Sequence, residues 1–185
     1  MDAWKSSVWR ASCLVHGHED GDQQEAVTNP ANRDDVVGHV HLATEECCAQ
    51  AITSADSFFP EWSRTPVSER ADCLRRLADL LEDKRYELMA LVAREAGRTT
   101  HDALDEVREA VDFCRYYANQ AEGLLSGSTK LPGPTGEDNR IALHPRGTFL
   151  CISPWNFPLA IFLGQVTAAL AAGNCVIAKP AEQTP

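Results

Sequence analysis

Two short apolar runs, at residues 149–153 and 175–178, flank a nearly uncharged helical stretch at 159–172, and this spacing constrains the fold more than anything else in the chain. Uninterrupted apolar runs of this length, bounded by turn residues, suit strands covered on both faces. Gly173-Asn174 makes the tight turn out of the intervening helix, where a left-handed conformation favours glycine. Strand, helix and strand form a βαβ unit, and the right-handed crossover rule sets its strands parallel. Such a unit opens a doubly wound α/β domain, whose ligands gather at the carboxyl ends of the strands. Residues 153–156 and 179–182 occupy those ends.

The sequence before this unit divides in two. Residues 1–42 are polar, with turn chemistry at 17–22 and at Asn29-Pro30-Ala31-Asn32, and with β-rich pieces at 26–28 and 36–40. They predict extended arms or a hairpin. Residues 43–140 follow the helical period. Thr44 caps a first helix that has Glu45 and Glu46 in its first turn and Cys48, Ile52, Ala55 and Phe59 as its apolar stripe. Thr65-Pro66, a cap with proline at the first helical position, opens a second, with Ala71, Leu74, Leu77 and Leu81 inward. A third covers 86–94 and stops near Gly97. Thr99 and Asp102 form a capping-box pattern for a fourth, lined on one side by Ala103, Val107, Ala110, Val111, Cys114, Ala118 and Ala121. Residues 123–139 are expected as a loop, because Pro132-Gly133-Pro134-Thr135-Gly136 breaks both periods. The third part, residues 141–185, is the βαβ unit.

Composition narrows the partners. A net charge of −10 leaves no cationic cluster for a nucleic-acid backbone, so no nucleic-acid partner is expected. No stretch has the length and apolarity of a transmembrane span, and residues 1–18 carry charges and histidines where a secretory leader would be apolar. Seven cysteines, odd in number and without a CxxC pair, read as reduced thiols of a cytoplasmic protein. His16 and His18 lack a converging ligand set, so no metal is expected.

Asn156, between Pro154 and Pro158, is the residue whose polarity most needs explaining. If Pro158 begins the helix, Asn156 lies just before it, placed either to cap the helix or to give its amide to a developing oxyanion beside the positive helix end. Taken alone, the local pattern favours the cap. Lys179 and Glu182 suit the hydroxyls of a nucleotide ribose, or else form a solvated surface pair.

Pro145-Arg146-Gly147, Pro154-Trp155-Asn156-Phe157-Pro158, Ala168-Ala169-Leu170-Ala171-Ala172-Gly173-Asn174 and Lys179-Pro180-Ala181-Glu182-Gln183-Thr184-Pro185 match, in order and spacing, the aldehyde dehydrogenase superfamily, which the chain closely resembles. Asn29-Pro30-Ala31, Trp62 with Glu69-Arg70, Glu95-Ala96-Gly97-Arg98 and Arg115-Tyr116-Tyr117-Ala118 extend the resemblance over nearly the full length. Residues 29–38, 133–137, 159–165 and 177–183 are similar to bacterial bifunctional proline utilisation proteins. In those, an FAD-dependent proline dehydrogenase precedes an NAD-dependent L-glutamate γ-semialdehyde (1-pyrroline-5-carboxylate) dehydrogenase.

The resemblance implies the N-terminal part of that second module. It assigns Asn156 as amide donor to the oxyanion of a thiohemiacetal, and Phe157 as a wall of the aldehyde channel. Ile152, Ser153, Pro154 and Trp155 would line the NAD cleft, with Lys179 and Glu182 on the adenosine ribose. Glu109 would stand toward the channel near the substrate ammonium group, although a solvated helical glutamate reads equally from the sequence. The family's nucleophilic cysteine, general-base glutamate and glycine-rich loop match nothing here, so the 185 residues alone are expected to be inactive. Cys151 and Cys175, in predicted buried strands, do not substitute. Expected partners are a small aldehyde, the remainder of the same polypeptide and, at full length, further copies of it. The FAD belongs to the proline dehydrogenase half. The alternatives are another substrate, such as succinate semialdehyde, or a noncatalytic interaction segment.

Overall fold

The computed structural model describes residues 6–15 and 24–185. The polar N-terminal part forms β1 (Trp9–Ala11), β2 (Gln24–Asn29) and β3 (Asn32–His41). β2 and β3 make the expected hairpin, antiparallel, and β1 joins β3 in parallel. The Asn29 side chain builds the turn by accepting from Ala31 N at 2.9 Å. Arg94 fastens this sheet to the helices: it donates to Asp35 at 2.5 and 3.2 Å and to Ser7 O at 2.6 Å. The expected turn at 17–22 and the histidines at 16 and 18 lie outside the described residues.

Four helices follow: α1 (Glu45–Trp62), α2 (Val67–Asp83), α3 (Arg85–Glu95) and α4 (Thr100–Leu125). α4 buries the whole predicted stripe from Ala103 to Ala121, and it packs along α2 through Ala71, Leu74, Ala78 and Leu81. Alanine and cysteine on the facing surfaces allow close approach of the two backbones. Arg75 to Glu122 at 2.5 Å and Arg115 to Glu82 at 2.8 Å bridge the outer edges of the pair. Thr44 and Thr99 cap α1 and α4 as expected, accepting from Cys47 N and Asp102 N. Gly97 takes the left-handed conformation after α3, with φ +66°.

Three expectations fail in detail. α1 turns by one residue, burying Cys47 and exposing Cys48 and Ile52. Its packing face is set by β6 and β7 beneath it, and by Trp62 Nε1 donating to Leu170 O at 3.1 Å. α2 begins one residue late, with Pro66 at the cap and Thr65 Oγ1 bonded back to Glu61 O. The loop expected over 123–139 is instead the end of α4 followed by an exposed hairpin, β4 (Ser128–Leu131) with β5 (Asn139–Ala142). The Pro-Gly-rich segment is only its connection.

The βαβ unit forms as expected. β6 (Thr148–Ile152) pairs in parallel with β7 (Cys175–Lys179), and α5 (Ala160–Ala171) crosses between them. Gly173, at φ +85°, turns the chain out of α5. Asn174 ties the end of the crossover to the segment that enters β6, accepting from Arg146 N at 2.6 Å and Gly147 N at 3.2 Å while donating to Ala169 O at 3.3 Å. Arg70, buried under the C-terminal end of α5, donates to Ala171 O at 3.2 Å and to Thr65 O. Its charge complements the negative end of the helix dipole. The strands are less covered than predicted. Cys151 and Cys175 are inside, but Leu150 and Ile152 are 61% and 59% exposed, because β6 has a strand neighbour on one side only among the described residues.

Candidate active site at the ends of the parallel strands

β6 ends at Ile152 and α5 starts at Ala160. The seven intervening residues include four of those expected at a cofactor or oxyanion site, so the geometry of this turn decides what the site can do. Parallel pairing continues one step past the strand, with Ser153 N donating to Lys179 O at 3.2 Å. Gln165 on α5 donates to Ile152 O at 3.1 Å. Both contacts fix the start of the turn against the sheet and helix.

Pro158 does not begin α5, contrary to expectation. The N-cap is Leu159, with φ −98° and ψ −53° and no side-chain cap of its own. The capping reading of Asn156 is therefore overturned. A residue from another element takes that role: Glu106 of α4, 2% exposed, whose Oε1 accepts from Leu159 N at 2.9 Å and from Ala160 N at 3.2 Å. A carboxylate on the exposed amides of a helix start satisfies them and neutralises the positive helix end. That end is thus already occupied by a charge, and it is not free to face an oxyanion. Asn156 itself is half-buried, and among the described residues no protein group hydrogen-bonds its amide.

Arg98 completes the arrangement. Its guanidinium carbon lies 4.7 Å from the Phe157 ring centroid, and its Nε is 4.0 Å from Glu106 Oε2. Burial holds the Glu106 carboxyl above its ordinary range, an effect that the two α5 amides and Arg98 only partly offset. Glu109, one turn further along α4, is exposed and adds a smaller upward push. The structure thus brings Phe157, Arg98 and Glu106 together beside the turn that carries Asn156, and leaves Glu109 exposed on α4.

At the second strand end, Lys179 Nζ and Glu182 Oε1 pair at 3.6 Å, both exposed. Ser153 is buried with its hydroxyl unpartnered among the described residues, while Pro154 and Trp155 are exposed beside it. Behind the turn, a cavity of about 270 Å³ runs between the N-terminal sheet, α3 and α5. Glu95, Pro158, Leu159, Phe162 and Thr184 line part of it, and burial pushes the Glu95 carboxyl up to about 7.

The buried thiols of Cys114, Cys151 and Cys175 do not have a nucleophile's setting. Burial pushes the Cys114 thiol up to about 11 and raises those of Cys151 and Cys175. Among the described residues, no three His, Cys, Asp or Glu side chains converge to hold a metal. No helix there is long and apolar enough to cross a membrane.

The sequence reasoning missed Glu106 and Arg98. Glu106 falls three residues after Ala103 and four before Ala110, on the same buried stripe. A charge at a core position was the available signal. Arg98 follows the Gly97 helix stop and belongs to no periodic segment.

The pattern that defines the aldehyde dehydrogenase family matches residues 17–185. The chain belongs to the aldehyde dehydrogenase family. Among aldehyde dehydrogenase relatives, it is 46% identical over 177 residues to the bifunctional protein PutA of Klebsiella aerogenes, covering 96% of this chain and 12% of that protein. It is 40% identical to the 1-pyrroline-5-carboxylate dehydrogenase of Geobacillus thermodenitrificans, covering 100% of this chain and 36% of the relative. The chain therefore spans about an eighth of the one and about a third of the other. The fold is the N-terminal part of an aldehyde dehydrogenase fold. It superposes on proline utilization A from Bdellovibrio bacteriovorus with a TM-score of 0.93 and 35% identity, covering 99% of this chain and 19% of that one. A Thermus 1-pyrroline-5-carboxylate dehydrogenase with bound NAD gives a TM-score of 0.89 and 34% identity, over 99% of this chain and 36% of the other.

Proposed function

We propose that this chain is the opening segment of the dehydrogenase module of a proline-catabolic enzyme, one that oxidises L-glutamate γ-semialdehyde to L-glutamate with NAD. The observation that carries the reading is the Asn156 amide, half-buried and without a protein partner among the described residues, at the carboxyl end of a parallel strand. In the turn it has no structural task that Glu106 does not already perform. Its N–H is then available to the substrate aldehyde oxygen as that oxygen gains negative charge, the role of an oxyanion donor. Phe157 forms a wall of the aldehyde channel. Glu109 meets the substrate ammonium group.

The residues at the strand ends fit a dinucleotide. Ser153 offers a buried hydroxyl without a partner among the described residues, and Glu182 beside Lys179 offers an acceptor for ribose hydroxyls that disfavours a 2′-phosphate. Ile152, Pro154 and Trp155 supply the exposed apolar wall of the cleft. NAD, when bound, supplies the hydride acceptor. The residues of this chain bind and orient it; the nucleophile and general base come from elsewhere in the longer polypeptide, a reading supported by the raised thiol pKa values of Cys114, Cys151 and Cys175. By itself the segment is inactive. FAD belongs to a proline dehydrogenase half, and the full enzyme is a cytoplasmic homo-oligomer.

The test is NADH formation by the full-length enzyme carrying this segment. Glutamate γ-semialdehyde is expected to outperform succinate semialdehyde, and Asn156→Ala to lower kcat about 10²- to 10³-fold, the usual loss for one oxyanion donor. No NAD reduction with any aldehyde would sink the enzymatic reading. The competing reading, an interaction segment, draws on the exposed Leu150, Ile152 and Trp155.

A further inference from the structure

Asn156 sits in a turn held at both ends by groups outside it. On its N-terminal side, Ser153 N is bonded to Lys179 O at 3.2 Å. On its C-terminal side, the fixed points come from Glu106 and Arg98, at and just before α4. Glu106 Oε1 holds Leu159 N and Ala160 N, and the Arg98 guanidinium lies 4.7 Å from the centre of the Phe157 ring. The two are coupled, because Arg98 Nε is 4.0 Å from Glu106 Oε2 and neither atom has a hydrogen-bond partner among the described residues. Glu106 has a fully buried side chain, whereas that of Arg98 is 22% exposed. A buried carboxylate is costly unless its bonds define something. Here they define where α5 begins, and so where the residue three positions before Leu159 can point.

We propose that Glu106 and Arg98 are positioning residues for Asn156: they clamp the Phe157 ring and the first amides of α5, and thereby aim the Asn156 amide without touching substrate. The inference rests on the oxyanion reading of Asn156 given above. A planar guanidinium against a ring fixes direction as well as distance, which a lysine ammonium does not reproduce. Glu106→Gln keeps an acceptor oxygen for both amides, whereas Glu106→Ala leaves them bare.

The experiment compares Arg98→Met, Glu106→Gln and Glu106→Ala in the full-length dehydrogenase, each in the native and the Asn156→Ala background. It reads kcat, the KM for NAD and the melting temperature. Arg98→Met is expected to lower kcat about 10- to 100-fold, the order of loss from a misplacement near 1 Å, with the KM for NAD unchanged. In the Asn156→Ala background it is expected to lower kcat no further. Glu106→Gln is expected to recover most of the activity that Glu106→Ala loses. Should Glu106→Ala fail to fold, the partly exposed Arg98 still decides the matter. An Arg98→Met that leaves kcat intact, or lowers it equally in both backgrounds, overturns the clamp while leaving the role of Asn156 standing. An Asn156→Ala enzyme with full kcat overturns the oxyanion reading and the clamp with it.

Discussion

Glu95 lies among apolar side chains at the cavity behind the turn, and burial lifts its carboxyl from an ordinary 4.5 to about 7. Between those values the folded chain keeps a proton that the unfolded chain has released. Its contribution is fully present below pH 4.5 and is lost as pH rises towards about 7, by up to about 3 kcal/mol. Asp35 works in the opposite sense at more acid pH, because hydrogen bonds from Arg94 hold its carboxyl low. Urea melts of this chain at pH 5 and pH 8 are expected to show lower stability at pH 8, and Glu95→Gln to remove most of the difference; an unchanged difference would refute the assignment. Gly173 gives a second prediction at this scale. At φ +85°, with Arg70 3.3 Å from where a Cβ would stand, Gly173→Ala combines backbone strain with a crowded neighbour. It is expected to cost about 1–2 kcal/mol in the same melts.

Helix α5 is held at both ends by charges from elsewhere: Glu106 on its first amides, Arg70 on the carbonyl of Ala171. Its own sequence, uncharged and apolar but for Gln165 and Thr167, contains no capping residue and no charge in either terminal turn. Arg70→Met, which preserves much of the packing, is expected to destabilise the chain by about 1.5–3 kcal/mol, the contribution of a charged hydrogen bond, measured by denaturant midpoint. The same feature explains what could be read in advance. The stripe of α4 was legible because small and apolar residues recur every three or four positions from Ala103 to Ala121, with Glu106 the one charge among its buried residues. The βαβ unit was legible because its apolar runs and Gly173-Asn174 leave little choice. The rotation of α1 was not, since Cys47 and Cys48 start two equally apolar stripes that share Ala55 and Phe59, and only the sheet below chooses between them. The β4–β5 hairpin was hidden because its strands are short and wholly or mostly exposed, giving no alternation to detect. At the site, Asn156 stood out between its prolines. Glu106 showed only as a charge at a core position of α4, and its partners, two backbone amides of another element, leave no pattern in the sequence.

Among the described residues, β6 presents a strand edge that no other strand covers. Phe149, Leu150, Ile152 and Trp155 are between 43% and 61% exposed along β6 and its end. Exposed apolar residues on an edge strand invite pairing with another chain. Sedimentation of the 185-residue chain is expected to show association that grows with concentration, and Ile152→Lys to weaken it. A monomer at every concentration would contradict this.

The exposed connection between β4 and β5 has a different consequence. Residues 132–138 lie between the helices and the βαβ unit, and the contacts joining those two parts do not depend on that connection. Trp62 to Leu170, Arg70 to Ala171 and Glu106 to Leu159 and Ala160 all reach across it, together with the packing of α4 on α5. A protease that nicks the chain there is expected to yield two peptides that travel together on a native column and separate only in denaturant. The two halves, made separately, become candidates for a split protein that assembles on mixing, with Glu106 as the test of whether the joint has closed.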